Sequence, residues 1–224
     1  MKVGQSASRA NRRPNREAGI PSLSIFPTNL GWFGLLGRDA LLFSVFVGHG
    51  SADEVRRAAC RQVEGTSSEC QFVERDWHPE LRRRLEQYCL GEQCDFDDVR
   101  LAPSRSTDFQ KCVVNIVRRI PYGQTLSYGR LAEKAGFPRA ARAVGTVMSC
   151  NRLPIIVPCH RVVAAGGKTG GYTSPQGVSL KLRLLAMESS AERQHSRANA
   201  KTRRSRPAGG VRSAGRTRNR PEPR

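Results

Sequence analysis

Apolar residues in the first half of the chain fall in short runs, a pattern that predicts β-strands. Gly31 to Leu36 and Ala40 to Val47 are two such runs, and Gly37-Arg38-Asp39 between them predicts the turn of a hairpin. The segments after the hairpin have helical, extended and helical patterning in turn: Ala52 to Cys60, Gln71 to Val73 and Pro79 to Leu90. Residues 22–100 are therefore predicted to form a small α/β domain.

Helical spacing takes over after residues 101–107, which contain Pro103 among Ser and Thr and are predicted to be a linker. Beyond this linker, apolar residues recur along one helical face: Phe109, Val113, Ile116, Val117 and Ile120. A last helix is predicted from Val178 to Glu188, and its apolar face is expected to hold Val178, Leu182 and Leu185.

Two short helices are predicted between these two. Ser127 is a suitable N-cap for a helix that runs to about Ala135, and Gly136 can end it. Pro138 marks the predicted start of a second helix that ends near Cys150. Such a pair predicts a helix-turn-helix, which often places its second helix against DNA. The alternative that the pattern leaves open is a plain helical hairpin.

The predicted second helix is rich in small side chains, so its backbone can approach another surface closely. The small residues are Ala140, Ala141, Ala143 and Gly145, and the groups that project among them are Arg139 and Arg142. That surface is either another helix or a groove of nucleic acid, and the positive charge favours the groove.

Composition and charge add two tails to this picture. Of 224 residues, 38 are Lys or Arg and 19 are Asp or Glu, which gives a net charge of +19, and 38% are hydrophobic. The ends, residues 1–21 and 190–224, carry +4 and +9 without hydrophobic periodicity and are predicted to be disordered basic tails. Residues 101–189 carry +10, whereas 22–100 carry −4. The predicted fold is thus an α/β N-terminal domain followed by a mostly α, basic C-terminal domain over 108–189.

Three expectations concern the protein's environment. The longest mostly apolar stretch, Ala40 to Val47, is too short to span a bilayer, so no membrane segment is expected. The first twenty residues hold no signal-like apolar core, but their Arg and Ser content leaves an organellar transit segment open. Seven Cys without a secretory signal indicate a reducing compartment and free thiols.

Cys159, in the apolar segment IIVPCHRVV, is the sharpest chemical feature. A nucleophilic thiolate needs positive or hydrogen-bonding surroundings, for which His160 and Arg161 are candidates. Adjacent residues of an extended chain point to opposite sides, so contact between Cys159 and His160 requires a bend or a bridging water. Glu188 can orient His160 as the third member of a relay. Taken singly, a buried Cys is most often a small hydrophobe and such a Glu a solvated helix residue.

The glycine-rich segment AAGGKTGGY follows this cysteine. It does not form a phosphate-binding P-loop, because Val162 stands where that motif requires a glycine. We interpret it as a mobile loop that wraps a ligand and ends at Tyr172.

PCHRVV with RAVG, Asn151 and the upstream PYGQTLSYGRLA resembles the methylated-DNA–protein-cysteine methyltransferases, also called O6-alkylguanine-DNA alkyltransferases. The resemblance is close from about Phe109 to Glu188, weaker across 22–100, and absent in the tails. It implies a DNA repair protein that flips a guanine out of the duplex and transfers the O6-alkyl group to Cys159, once per molecule. The implied partner is double-stranded DNA containing O6-alkylguanine, bound by a monomer without cofactor or metal.

The resemblance also implies a role for each site residue. The catalytic set is Cys159, His160, Glu188 and Tyr128: Glu188 orients His160, His160 draws the thiol proton through water, and Tyr128 gives a proton to guanine N3. The DNA-binding set is Arg142, which fills the space of the flipped nucleotide, the close-packing Ala140, Ala141, Ala143 and Gly145, and the hinge Asn151. The substrate pocket comprises Met148, Pro154, Val162, Tyr172 and Thr173. The main chain of Cys159 and Val162 is expected to accept from the exocyclic amine, with Thr173 near O6.

Other readings fit parts of the sequence. Some relatives hold a structural zinc, but Cys89 and Cys94 lack convincing His partners, so none is expected. A lesion-binding DNA-repair signalling protein without alkyl transfer would share the fold and have no use for Cys159. A Cys-His hydrolase would not need the basic helix-turn-helix, and a structural nucleic-acid-binding protein would leave PCHRV unexplained. The expected location is the cytoplasm, at the nucleoid, in a bacterium, or the nucleus in a eukaryote.

Overall fold

The computed structural model describes residues 19–63, 71–104 and 106–204, and its N-terminal part is a four-stranded sheet between two helices. The elements are β1 (Ser22–Thr28), β2 (Gly31–Arg38), β3 (Leu41–His49), α1 (Ala52–Val63), β4 (Val73–Glu74) and α2 (Pro79–Cys89). The order across the sheet is β3-β2-β1-β4, antiparallel except that β4 runs parallel to β1. This confirms the predicted hairpin and the α/β character of the N-terminal part. β1 is absent from the prediction because Ser22, Ser24 and Pro27 interrupt its apolar pattern.

Each face of the sheet carries its own core, since successive residues of a strand point to opposite sides. Leu36 and Phe46 lie on the face that packs against α1. Leu35 lies on the opposite face, in the larger core that includes α2. That larger core is completed from the other end of the chain by Ile155, Ile156, Leu180 and Leu184. The N-terminal sheet therefore shares its larger core with residues of the C-terminal part.

The predicted linker is held by the same arrangement. Leu42 of β3 forms an isolated parallel β-bridge with Leu101, and the Ala102 amide donates to the Leu42 carbonyl at 2.9 Å. The start of residues 101–107 is thus hydrogen-bonded to β3.

The C-terminal part is mostly helical, as predicted. Its elements are α3 (Asp108–Arg118), β5 (Leu126–Ser127), α4 (Tyr128–Lys134), α5 (Ala141–Ser149), β6 (Val162–Val163) and α6 (Val178–Arg204). Ser127 caps α4 by accepting from the Arg130 amide at 3.2 Å, and Gly136 ends the turn after it with a φ of +83°, as the sequence predicts.

The second helix of this pair starts later than predicted. α5 begins at Ala141 and not at Pro138, because Arg139 has a φ of 73°, outside the helical region. The two helices pack against each other, and the seam between them includes Leu131 and Val144.

The last helix differs from the prediction in both its length and its buried face. α6 continues to Arg204, so residues 190–204 are helical where a disordered tail was predicted; good helix formers without Gly or Pro fill that stretch. The buried residues are Leu180, Lys181, Leu184 and Glu188, whereas Val178 is 39% and Leu182 51% exposed. The charged Lys181 and Glu188 interrupt the apolar stripe that this face would otherwise show, and the prediction therefore chose the wrong side.

Of the predicted N-terminal tail, residues 19–21 belong to the fold, since the Pro21 carbonyl accepts from the Val73 amide at 2.9 Å. Residues 1–18 and 205–224 lie outside the described residues. Cys60 is disulfide-bonded, so the expectation of free thiols throughout is wrong there: the fold, and not composition, decides which sulfurs meet. Within the described residues, no helix is both long and apolar enough to cross a membrane.

Candidate active site

A two-stranded parallel ladder positions the chemical groups. Leu126 and Ser127 of β5 pair with Val162 and Val163 of β6. β5 leads directly into Tyr128 at the start of α4, and β6 directly follows the turn that holds Cys159. The ladder therefore brings two segments that are distant in sequence to one place, where Tyr128 and Cys159 pack in a core shared with Met148.

The apolar segment predicts that Cys159 lies in or beside a buried extended strand, and it lies beside one: a single 3-10 turn, Cys159–Arg161, leads directly into β6. Pro158, which precedes it, has no amide hydrogen for a strand ladder. The turn supplies a bend between Cys159 and His160, and no hydrogen bond joins their side chains among the described contacts.

The thiol of Cys159 is nearly enclosed and has one side-chain donor. Asn151 Nδ2 lies 3.1 Å from the sulfur and also donates to the Val157 carbonyl at 2.9 Å. Burial raises the pKa of Cys159 above its ordinary value, and the Asn151 hydrogen bond and the Lys181 charge offset this only in part. The protonated thiol is therefore the resting form, and a nucleophilic reaction requires a base.

His160 is placed to be that base. Its Nε2 lies 2.9 Å from Glu188 Oε1, and both side chains are buried. A nitrogen that faces a carboxylate carries the hydrogen, which leaves Nδ1 with a lone pair. Nδ1 is buried and has no hydrogen-bond partner among the residues that the structure describes. Burial lowers the pKa of His160, so the imidazole is neutral and able to accept a proton.

Glu188 holds more groups than the sequence predicts. Arg161 donates to it from Nε at 3.0 Å and from Nη2 at 2.9 Å, and the Gly123 amide donates at 3.1 Å. Tyr88 of α2 donates from its hydroxyl at 2.6 Å. Burial works against ionisation of Glu188, but the hydrogen bonds from His160 and Arg161 outweigh it and lower its pKa to about 2.

Arg161 is thus bound to Glu188 and to the Ile120 carbonyl, at 2.7 Å, and is not the cation beside the thiol. Lys181 is the buried cation near Cys159. Its Nζ donates to the Val162 carbonyl at 2.6 Å and to that of Gly171 at 3.3 Å, and lies 5.8 Å from the centre of the Tyr128 ring. The sequence gives no local signal for this residue, because Lys181 and Arg183 both alternate with leucines at the start of α6.

Tyr128 is half-buried beside the glycine-rich loop. Gly170 has a φ of +67°, and a Cβ there would lie 2.9 Å from the Tyr128 hydroxyl, so only glycine lets the loop lie against the ring. Burial, and then the Cys159 charge, raise the pKa of Tyr128, which keeps the phenol protonated. Tyr172, at the end of the loop, has a buried hydroxyl without a hydrogen-bond partner.

The other pocket residues are only partly brought together. Met148 and Val162 are buried in the Cys159 core. The two carbonyls expected to accept from a base each have a donor already: Val162 O from Lys181 Nζ and Cys159 O from the Val162 amide, leaving one lone pair each. Pro154 and Thr173 line a separate cavity of about 290 Å³. Thr173 is exposed, and its hydroxyl donates to the Ser149 carbonyl at 3.0 Å.

The predicted DNA-binding residues divide between two sides of α5. Arg142 and Ala143 are exposed, while Gly145 is half-buried with open space where a side chain would be. Ala140 packs against the core and therefore does not belong to the exposed face. Ala141 is half-buried. Asn151 lies beyond the end of the helix, hydrogen-bonded to Cys159 as described.

Metal ligands are a separate question. Across the described ranges, no three or more His, Cys, Asp and Glu side chains gather in a group able to hold a metal ion.

Replacement of Glu188 by Gln is expected to reduce stability by about 3 kcal/mol at neutral pH, because it leaves the buried Arg161 without its anion. The pKa of Glu188 is lowered to about 2, so its contribution is complete above the ordinary carboxyl pKa and is lost as pH falls toward 2. The free energy of unfolding, measured with denaturant, should therefore differ widely between the wild type and Glu188→Gln at pH 7 and much less at pH 3. The exposed Glu133→Gln is the control, and equal gaps at both pH values would refute the ionised pairing.

The comparisons with known proteins agree with this geometry. The family described as "6-O-methylguanine DNA methyltransferase, DNA binding domain" matches residues 108–190. A methylated-DNA–protein-cysteine methyltransferase of Methanosarcina acetivorans is 50% identical over 111 residues, 50% of this chain and 69% of that protein. The Mycobacterium bovis protein of the same name is 48% identical over 107 residues, 48% of this chain and 62% of that one.

A solved structure extends the likeness to the N-terminal part. The crystal structure of Mycobacterium tuberculosis OGT in complex with DNA is 34% identical, with a TM-score of 0.61, and the match covers 76% of this chain and 94% of that one. From the matched sequence, the shared fold and the arrangement around Cys159, we conclude that the chain belongs to the methylated-DNA–protein-cysteine methyltransferase family.

Proposed function

We propose that this protein repairs O6-alkylguanine in double-stranded DNA by transferring the alkyl group to its own Cys159. The observation that carries the proposal is the buried Cys159 thiol beside a neutral His160 whose Nε2 is bound to Glu188 and whose Nδ1 is free. That arrangement is an enclosed nucleophile with an oriented base next to it. It lies within the segment that matches the DNA-binding domain of the family.

The reaction begins with proton transfer from the thiol. A water between Sγ and His160 Nδ1 carries the Cys159 proton to the imidazole, and Glu188 stabilises the imidazolium that forms. Asn151 and Lys181 stabilise the thiolate, because one donates to the sulfur and the other is a nearby positive charge.

Alkyl transfer then exchanges one bond for another. The thiolate attacks the alkyl carbon, the new sulfur–carbon bond forms, and the bond from that carbon to O6 breaks. Tyr128 gives its proton to N3 of the departing guanine, which leaves the base neutral. Lys181, above the Tyr128 ring, stabilises the phenolate. The thioether has no easy leaving path, so each molecule reacts once.

Access to a base inside a duplex requires that the base leave the stack. In this proposal α4 and α5 act as a helix-turn-helix, and the small residues of α5 approach the minor groove. The exposed Arg142 takes the space of the flipped nucleotide. The protein acts wherever the cell keeps its DNA, at the nucleoid of a bacterium or in a nucleus.

Mixing the protein with a duplex that contains one O6-methylguanine tests the transfer. Peptide mass spectrometry should find one methyl group on the Cys159 peptide, and the DNA should regain guanine. Cys150→Ser is the matched control, because it removes an exposed thiol and should react normally, whereas Cys159→Ser should not react. An intact lesion that the protein still binds tightly would favour the lesion-binding alternative and refute repair.

Arg142→Ala tests base flipping. The variant should react with O6-methylguanine in duplex DNA at least tenfold more slowly, while its reaction with the free base stays near the wild-type rate. The reason is that only in the duplex does a flipped nucleotide leave a space in the base stack for Arg142 to occupy. Arg130→Ala on α4 controls for the loss of one positive charge. Equal slowing of Arg142→Ala on both substrates would contradict the proposed role.

A further inference from the structure

Tyr88 reaches the catalytic relay from a different part of the chain. It lies near the end of α2 in the N-terminal part, one hundred residues before Glu188, and is fully buried. Its hydroxyl lies 2.6 Å from Glu188 Oε1 and 3.2 Å from His160 Nε2. Oε1 thus receives both the tyrosine hydroxyl and the imidazole Nε2, which itself lies 2.9 Å away.

We propose that Tyr88 is a positioning residue for alkyl transfer: its hydroxyl holds Glu188 Oε1 and limits how strongly that carboxylate draws a proton onto His160. This inference rests on the proposed function. It assigns part of the relay to the N-terminal part of the chain, outside the matched segment 108–190.

The contact geometry fixes the direction of the effect. Of the hydrogen bonds to the Glu188 carboxylate, the one from the Tyr88 hydroxyl is the shortest, at 2.6 Å. The phenol therefore acts as a donor to the anion. A donor on Oε1 withdraws charge from the oxygen that faces His160 Nε2. The imidazolium form of His160 is therefore less stable when the Tyr88 hydroxyl is present. The hydroxyl thus lowers the pKa of His160, so that the ring stays neutral and able to accept a proton down to a lower pH.

Packing holds Tyr88 in this position. Its ring makes edge contacts with Phe96, Tyr122 and His160, at centroid distances of 6.1, 6.0 and 6.5 Å. Phenylalanine would keep all of these ring contacts, because they do not use the hydroxyl. A Tyr88→Phe variant therefore isolates the hydrogen bond from the packing.

Other charged and titratable groups also act on His160. They are Glu188 and Lys181 from α6 and Arg161 from its own turn, together with Tyr172 and Tyr122, which act through their charge interactions with Glu188. Tyr88→Phe removes none of these side chains, and among them it takes a hydrogen bond only from Glu188. Tyr122→Phe is a matched control, because the Tyr122 hydroxyl lies in the same aromatic cluster but donates to the Gly91 carbonyl at 3.0 Å.

The test is the pH dependence of single-turnover methyl transfer, measured with the full chain and duplex DNA containing O6-methylguanine. The acidic limb of this profile reports protonation of the base. Tyr88→Phe should move that limb to higher pH by about one unit, the effect of one charge-assisted hydrogen bond. Tyr122→Phe should leave it in place. A fluorotyrosine at position 88 is a stronger donor and should move the limb to lower pH.

A Tyr88→Phe profile that only drops in height, or whose limb moves to lower pH, would overturn the inference. If Tyr88→Phe does not fold, the fluorotyrosine protein keeps the ring and the hydroxyl and decides the matter by the direction of its shift. Absence of transfer by the wild type would be a failure of the proposed function, and is thereby distinguished from a failure of the Tyr88 role.

Discussion

The buried carboxylate of Glu188 is the interaction on which the rest of the site depends. An isolated anion in the interior is costly, and the protein compensates with four donor residues from three parts of the chain. They are Tyr88 on α2, the Gly123 amide before β5, His160 and Arg161 in the nucleophile turn. Each of these segments is fixed in place by the need to satisfy one carboxylate. The orientation of His160 therefore follows from the folding of the whole protein and not from its neighbour Cys159 alone.

The same constraint links the two halves of the chain. The N-terminal sheet is covered by residues from the C-terminal part, and Tyr88 places an N-terminal side chain in the relay. On the other side of the nucleophile, the β5–β6 ladder sets Tyr128 beside Cys159. The proposed proton acceptor, His160, and the proposed proton donor, Tyr128, thus belong to separate structural elements. A buried thiol that stays protonated at rest reacts only slowly with unrelated electrophiles, and in the proposed reaction a base removes its proton to form the thiolate.

Much of this could be predicted from the sequence where local chemistry decides the structure. The cap at Ser127, the stop at Gly136, the hairpin and the family motif at Cys159 are all local signals, and so is the pairing of His160 with Glu188 once the motif is known. Contacts that cross the fold could not be predicted. From the sequence, Tyr88 is expected to be an ordinary core tyrosine of an amphipathic helix. Lys181 is expected to be a surface lysine, because the burial of its helix face is not known at that point. The buried face of α6 was mispredicted because it carries two charges, and its length because residues 190–204 have no hydrophobic periodicity.

The measurement that most directly tests this account is the tautomer and charge of the His160 ring, observed by nitrogen NMR of histidine-labelled protein at pH 7. The account predicts a neutral imidazole with its hydrogen on Nε2, bonded to Glu188, and a bare Nδ1 available to the Cys159 proton. A hydrogen on Nδ1, in the other neutral tautomer or in a doubly protonated ring, would contradict it, because Nδ1 would then have no lone pair with which to accept the Cys159 proton.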